Sequence, residues 1–156
     1  VVICLKQKPE YGSKNSEIYL DWIAPGCEIV DSIYPNWKFS LTDAIVTGGL
    51  HGCLVVGEKQ KIDHNTESDL IDVKVELYKN GKFQEAGIGS NVLEGPISAV
   101  RYLHKGLSKI KNQDPLSAGD IITTGTMTDA KPIFPKENWM VRFDGVINSN
   151  LTLEFL

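Results

Sequence analysis

The sequence predicts a mixed, β-rich α/β fold with one substantial helix. Three observations carry that prediction. Between Leu70 and Ser90, Ile71, Val73, Val75 and Leu77 alternate with Asp72, Lys74, Glu76 and Tyr78, a period of two with one wet face. Asn80-Gly81 follows, the favoured pair for a tight hairpin turn, so Phe83 to Gly89 should return antiparallel. Beyond it, Ile97, Val100, Leu103, Leu107 and Ile110 step by three or four behind Pro96, which suits a first helical turn.

The remaining elements follow in chain order. Val1 to Lys6 reads as a buried strand. Lys8 to Asn15 is a loop rich in turn formers, and Asn15 or Ser16 can cap a short helix from Glu17 to about Ala24, ended by Pro25-Gly26. Glu28 to Ser32 is a short strand broken by Tyr34-Pro35-Asn36. Ser40 can cap a helical turn over Leu41 to Val46, and Thr47-Gly48-Gly49 is flexible. Gly52 to Gly57 is a compact apolar strand. After the hairpin and the helix, Asn112 to Gly119 is a loop, and Asp120 to Gly125, Trp139 to Phe143 and Leu151 to Phe155 are strands. His104 lies beside the apolar helical stripe and is read as packing or solvated.

A chain of 156 residues fits one domain with a sizeable core, and 42% hydrophobic with 23% charged residues is ordinary globular composition. A net charge of -4 and no long basic run argue against nucleic acid. No apolar run reaches the ~18 residues that a membrane span needs. Cys4, Cys27 and Cys53 are odd in number and widely spaced, which points to a reducing cytoplasm. The chain opens on Val1 in what reads as mid-strand, so residues are expected upstream of this catalytic-type domain.

Phosphate loops, dinucleotide fingerprints and nucleophile elbows are not found. His51 beside Cys53 could be a nucleophile pair, but residues two apart on a strand have no assured hydrogen bond and no orienting acid is evident. Two polar clusters remain. In the first, Glu28 and Asp31 close an apolar segment and Lys38 and Asp43 follow; a buried carboxylate there needs pairing or a metal, whereas a solvated strand end needs neither. In the second, Thr123-Thr124-Gly125-Thr126-Met127-Thr128 offers hydroxyls and approachable amides to a carboxylate, or holds threonines simply because they favour strands.

Cys27-Glu28-Ile29-Val30-Asp31-Ser32, Asn36-Trp37-Lys38 and Leu41-Thr42-Asp43 resemble motifs of the 2-keto-4-pentenoate hydratase family, to which 4-oxalocrotonate decarboxylase is a close relative, within the fumarylacetoacetate hydrolase superfamily. The resemblance runs on through Leu54 to Gly57, Leu77 to Gly81, Gly95-Pro96, Leu116 to Ile122 and Gly125-Thr126-Met127-Thr128. It implies a mixed β-sandwich roll with the helix from Pro96 packed outside. It implies a hydratase adding water to a 2-hydroxy-2,4-dienoate or 2-oxo-4-enoate, with the decarboxylase or an inactive binding paralogue as alternatives. It implies Mg2+ or Mn2+ held by three carboxylates, of which this chain supplies only Glu28; the Glu-x-Glu pair would fall upstream of Val1. Asp31, Lys38 and Asp43 match catalytic-site positions, and Gly125, Thr126 and Thr128 match the substrate-binding loop. A small 2-oxo acid partner and a homo-oligomer are expected on the same ground. Ile33, Thr47-Gly48 and Lys131 depart from the family pattern.

Overall fold

The computed structural model describes residues 1–9, 18–112 and 116–156. Among the described residues, ten strands and three α-helices run in the order β1 (Val2–Leu5), β2 (Leu20–Ala24), β3 (Gly26–Val30), α1 (Leu41–Val46), β4 (His51–Val56), β5 (Gln60–Lys61), α2 (Thr66–Asp72), β6 (Lys74–Lys79), β7 (Lys82–Ile88), α3 (Pro96–Leu107), β8 (Ile121–Thr123), β9 (Asn138–Asp144) and β10 (Ser149–Glu154). They form two four-stranded sheets, ordered β5-β2-β1-β8 and β10-β9-β6-β7, and a two-stranded ladder of β3 with β4. All pairings are antiparallel.

β1 is the buried axis of the first sheet: all four residues are buried, and it pairs with β2 on one side and β8 on the other. A strand with two paired edges and no wet face reads as a continuous apolar run, as Val2 to Leu5 does. The hairpin β6–β7 turns on Asn80 and Gly81, both left-handed at φ 49° and 75°, as a two-residue hairpin turn of this kind requires. One apolar cluster joins Ile3, Leu5, Leu20 and Ile23 of the first sheet to Val75, Val141 and Phe143 of the second, with Leu70, Ile97 and Val100 from the helices.

Three expectations change. The stretch expected to be helical up to Ala24 is strand from Leu20, because β1 requires a partner and Leu20, Ile23 and Ala24 are buried against it; the proposed caps Asn15 and Ser16 lie outside the described residues. Leu70, Ile71 and Asp72 close a helix rather than open the hairpin strand. Asp63 starts that helix, accepting from the Asn65 N–H at 3.0 Å and from the Thr66 hydroxyl at 3.0 Å. Arg101 of α3 then grips Glu67 through both carboxylate oxygens, Nη2 to Oε2 at 2.7 Å. The apolar stripe of α3 is half used: Ile97 and Val100 are buried, while Leu103 is exposed and Ile110 lies exposed beyond the helix end. Among the described residues no helix is long and apolar enough to cross a membrane.

Candidate functional site

The β3–β4 ladder carries the first polar cluster. Its register runs from Gly26 opposite Val56 to Ile29 opposite Cys53, then shifts, so that Val30 faces His51. Gly52 is the residue left over. A Cβ there would lie 2.8 Å from the Ile29 carbonyl oxygen, so only glycine lets the strands stay paired through the bulge. The turn into β4 is left-handed at three consecutive residues, Gly48, Gly49 and Leu50, and Leu50 is buried.

The bulge and the turn deliver His51 to Glu28: Nδ1 lies 2.8 Å from Oε1. Both side chains are partly exposed, 47% for His51 and 38% for Glu28. The histidine set aside as lacking an orienting acid therefore has one, 23 positions away in the chain. No local pattern could announce that pair; the one hint is the glycine that follows His51. Asp31 sits at the same bulge. Its N–H donates to the Leu50 carbonyl at 2.9 Å, and its carboxylate accepts from the Ser32 N–H at 2.8 Å.

Lys38 and Asp43 lie on the excursion between β3 and β4. Lys38 is exposed, closes a 3-10 turn by donating its N–H to the Pro35 carbonyl at 3.3 Å, and makes no ion pair among the described residues. Asp43 is engaged in a capping box: its carboxylate accepts from the Ser40 N–H at 2.9 Å and hydroxyl at 2.8 Å, and the Asp43 N–H donates back to Ser40 Oγ at 3.2 Å. Those two donors hold its carboxyl below the usual aspartate range. The excursion exposes Ile33, Trp37, Leu41, Ile45 and Val46.

The second cluster leaves the other side of β1. Val2 faces Ala24 in β2 and Thr123 in β8, so Gly26 and Gly125 both follow from the same end of the sheet. Gly26 passes over Val2 closely enough that a Cβ would meet Val2 Cγ2 at 2.1 Å. Thr124 donates both its N–H and its hydroxyl to the Val1 carbonyl at 3.2 Å. Gly125 is left-handed at φ 92°. The Thr126 hydroxyl is 2.5 Å from the Thr128 carbonyl and accepts from the Thr128 N–H at 3.3 Å, a local turn. Buried Met127 anchors the loop, its carbonyl accepting from Asn91 Nδ2 at 3.0 Å. The structure thus brings Glu28, Asp31 and His51 to one bulge, and puts Gly125, Thr126 and Thr128 on the opposite flank of the same strand end.

A half-exposed carboxylate such as Glu28 fits a hard divalent ion as one oxygen ligand. Among the described residues no group of three or more His, Cys, Asp and Glu is placed to hold a metal ion, so Glu28 would contribute one ligand to an ion site and these residues do not form one. Thiol chemistry is disfavoured at Cys27, where burial and then nearby Cys53 push the thiol up.

No family model matches the chain. It is 32% identical over 126 residues to 4-oxalocrotonate decarboxylase of Pseudomonas sp. (strain CF600), covering 81% of this chain and 46% of that protein. It is 33% identical over 127 residues to 2-hydroxyhexa-2,4-dienoate hydratase of Comamonas testosteroni, covering 81% and 45%. The chain spans about half the length of the curated relatives it matches. Among solved structures, 4-oxalocrotonate decarboxylase from Pseudomonas putida G7, complexed with magnesium and adipate, aligns at TM-score 0.80 and 26% identity over 99% of this chain and 58% of that one. A protein from Oleispira antarctica, assigned by name to the fumarylacetoacetate isomerase/hydrolases, aligns at TM-score 0.70 and 16% identity over 99% and 68%, a likeness of fold. The mixed, strand-rich architecture is therefore of the fumarylacetoacetate hydrolase type.

Proposed function

The chain is a homologue, over most of its length, of the 4-oxalocrotonate decarboxylases and 2-keto-4-pentenoate hydratases, and on that premise we propose that it is a lyase acting on a small unsaturated 2-oxo acid. The reaction is hydration of a 2-hydroxy-2,4-dienoate or 2-oxo-4-enoate to a 4-hydroxy-2-oxo acid. The enol gives up its O–H proton, the carbon chain takes a proton, and water adds as hydroxyl to C4 and proton to C3. The observation that carries the reading is the kinship with enzymes of this type, joined to a chain path in which the segments bearing Glu28 and the Gly125–Thr128 loop leave the same end of the first sheet on either side of β1.

Each residue has a role in this proposal. The Gly125–Thr128 turn, whose left-handed glycine leaves its backbone open to close approach, receives the substrate carboxylate. Glu28 faces the oxygen-rich end of the substrate. Lys38 and Asp31 are the groups available to move protons at the carbon chain. Asp43 holds the excursion that carries Lys38 by capping α1. A divalent ion, Mg2+ or Mn2+, supplies at such a site an electrostatic partner for charge developing on substrate oxygens, and Glu28 is the residue here that would hold it. The exposed Leu41, Ile45 and Val46 support self-association into a homo-oligomer. A cytoplasmic setting agrees with three free cysteines.

Decarboxylation is the second reading, favoured by the decarboxylases at 32–33% identity and by the 0.80 TM-score. There the bond to the departing carboxylate breaks, carbon dioxide leaves, and its electron pair passes into the enolate. The test is incubation with 2-hydroxypenta-2,4-dienoate and, separately, 4-oxalocrotonate, with Mg2+ or Mn2+ added. Loss of the dienol absorbance with formation of the 4-hydroxy-2-oxo acid supports the hydratase, and carbon dioxide release the decarboxylase. If neither compound is consumed, the chain is a binding or assembly protein on this fold. Glu28→Gln should abolish whichever turnover is found.

A further inference from the structure

We infer that His51 is a positioning residue of this site, fixing one oxygen of Glu28 so that the other is presented to the ligand. The inference deepens the proposed function and rests on its reading of Glu28 as a ligand-holding group. The geometry is specific. An ionised carboxylate can only accept a hydrogen bond, so in the 2.8 Å contact His51 Nδ1 carries the proton and Glu28 Oε1 receives it. Among the described residues no hydrogen bond or ion pair reaches Oε2.

The backbone on both sides of His51 is unusual, and the same turn also buries Leu50 and lends its carbonyl to the Asp31 N–H at 2.9 Å. Three consecutive left-handed residues, among them the non-glycine Leu50 at φ 63°, precede His51. A bulge that only Gly52 permits follows it. A left-handed conformation at an L-residue such as Leu50 is disfavoured, and such outliers persist where the surroundings over-determine them. Neither member of the pair belongs to the core: both side chains are more than a third exposed. An exposed ion pair of this sort contributes little to stability, so holding the fold together does not account for it. Holding a carboxylate in one orientation does, as hydrogen bonds from surrounding residues do for ion-binding carboxylates in general.

The test is a titration of the full chain with Mn2+, followed by the paramagnetic signal of the free ion, in wild type, His51→Ala, His51→Gln and Glu28→Gln, with thermal unfolding measured alongside. The expected result is about tenfold weaker Mn2+ binding in His51→Ala, the low end of what loss of such a partner costs. His51→Gln should recover most of that loss, because its amide N–H can still donate to Glu28. The melting temperatures of both histidine variants should stay at the wild-type value. Unchanged affinity in His51→Ala while Glu28→Gln loses binding overturns the positioning role and leaves the ligand reading of Glu28 standing. No Mn2+ binding by wild type, or Glu28→Gln equal to wild type, overturns the reading of Glu28 itself and this inference with it.

Discussion

Gly87 and the Met127 carbonyl are in contact with no room between them: a Cβ on Gly87 would lie 2.1 Å from that oxygen. The contact seats the loop of Gly125, Thr126 and Thr128 on strand β7, and the Asn91 amide holds the same carbonyl at 3.0 Å. Gly87→Ala must push backbone against backbone. It should destabilise the protein by about 3 kcal/mol, the scale of overpacking that cannot relax, read as a lower denaturation midpoint. Gly106→Ala is the counterpart. Gly106 is in helix α3 with open space around the missing Cβ, so the same substitution should stabilise by about 0.5–1 kcal/mol.

Gly52→Ala should act on the ladder that presents Glu28. The added carbon meets the Ile29 carbonyl at 2.8 Å and the bulge cannot hold. A shift of one residue in pairing turns His51 to the opposite face. Infrared or nuclear magnetic resonance signals of the His51 imidazole should therefore move to those of a solvated ring. A wild-type imidazole signal in the variant would refute the role assigned to the bulge.

The capping box at α1 predicts a local effect. Ser40→Ala should loosen the helix by about 1 kcal/mol, and Asp43→Ala should loosen it in the same direction. Since α1 buries no residue, the loss should appear as faster amide exchange over Leu41–Val46 with little change in the global midpoint. Should Asp43→Ala also stop turnover while Ser40→Ala does not, Asp43 acts on the substrate and not only through the helix.

Acid should unfold this protein partly through Glu137. Its carboxylate is held down first by the Lys79 ammonium, then by the Trp139 indole N–H at 3.0 Å and the Phe134 N–H at 3.1 Å. A carboxyl lowered in the folded state stabilises the protein above its ordinary value, near 4.5 for glutamate, and that stabilisation disappears as pH falls through the folded value. Stability measured from pH 5 downward should fall less steeply in Glu137→Gln, which should also start from a lower melting temperature. Equal slopes in the two proteins would contradict this account.

Much of the fold is legible in local sequence. Asn80-Gly81 names its hairpin turn, Pro96 its helix start, and Ser40 with Asp43 its cap, because each depends on dihedral preferences and hydrogen bonds within four residues. Glu28, with Asp31, Lys38 and Asp43, and the Gly125–Thr128 turn were legible as motifs in order along the chain. Strand β2 and helix α2 were not, since five to seven apolar and polar residues fit either period. Burial against β1 and the grip of Arg101 on Glu67 settle them.

By itself, then, the sequence determined the β-rich class, the hairpin turn, the Ser40 cap and the family likeness. Only the tertiary structure decided that Glu28 has His51 as its partner. The two are 23 residues apart, and their meeting depends on a one-residue bulge that a periodic pattern does not record. A shift of one position in a strand reverses the face of every side chain beyond it, so the pair exists only once the whole ladder has chosen its register.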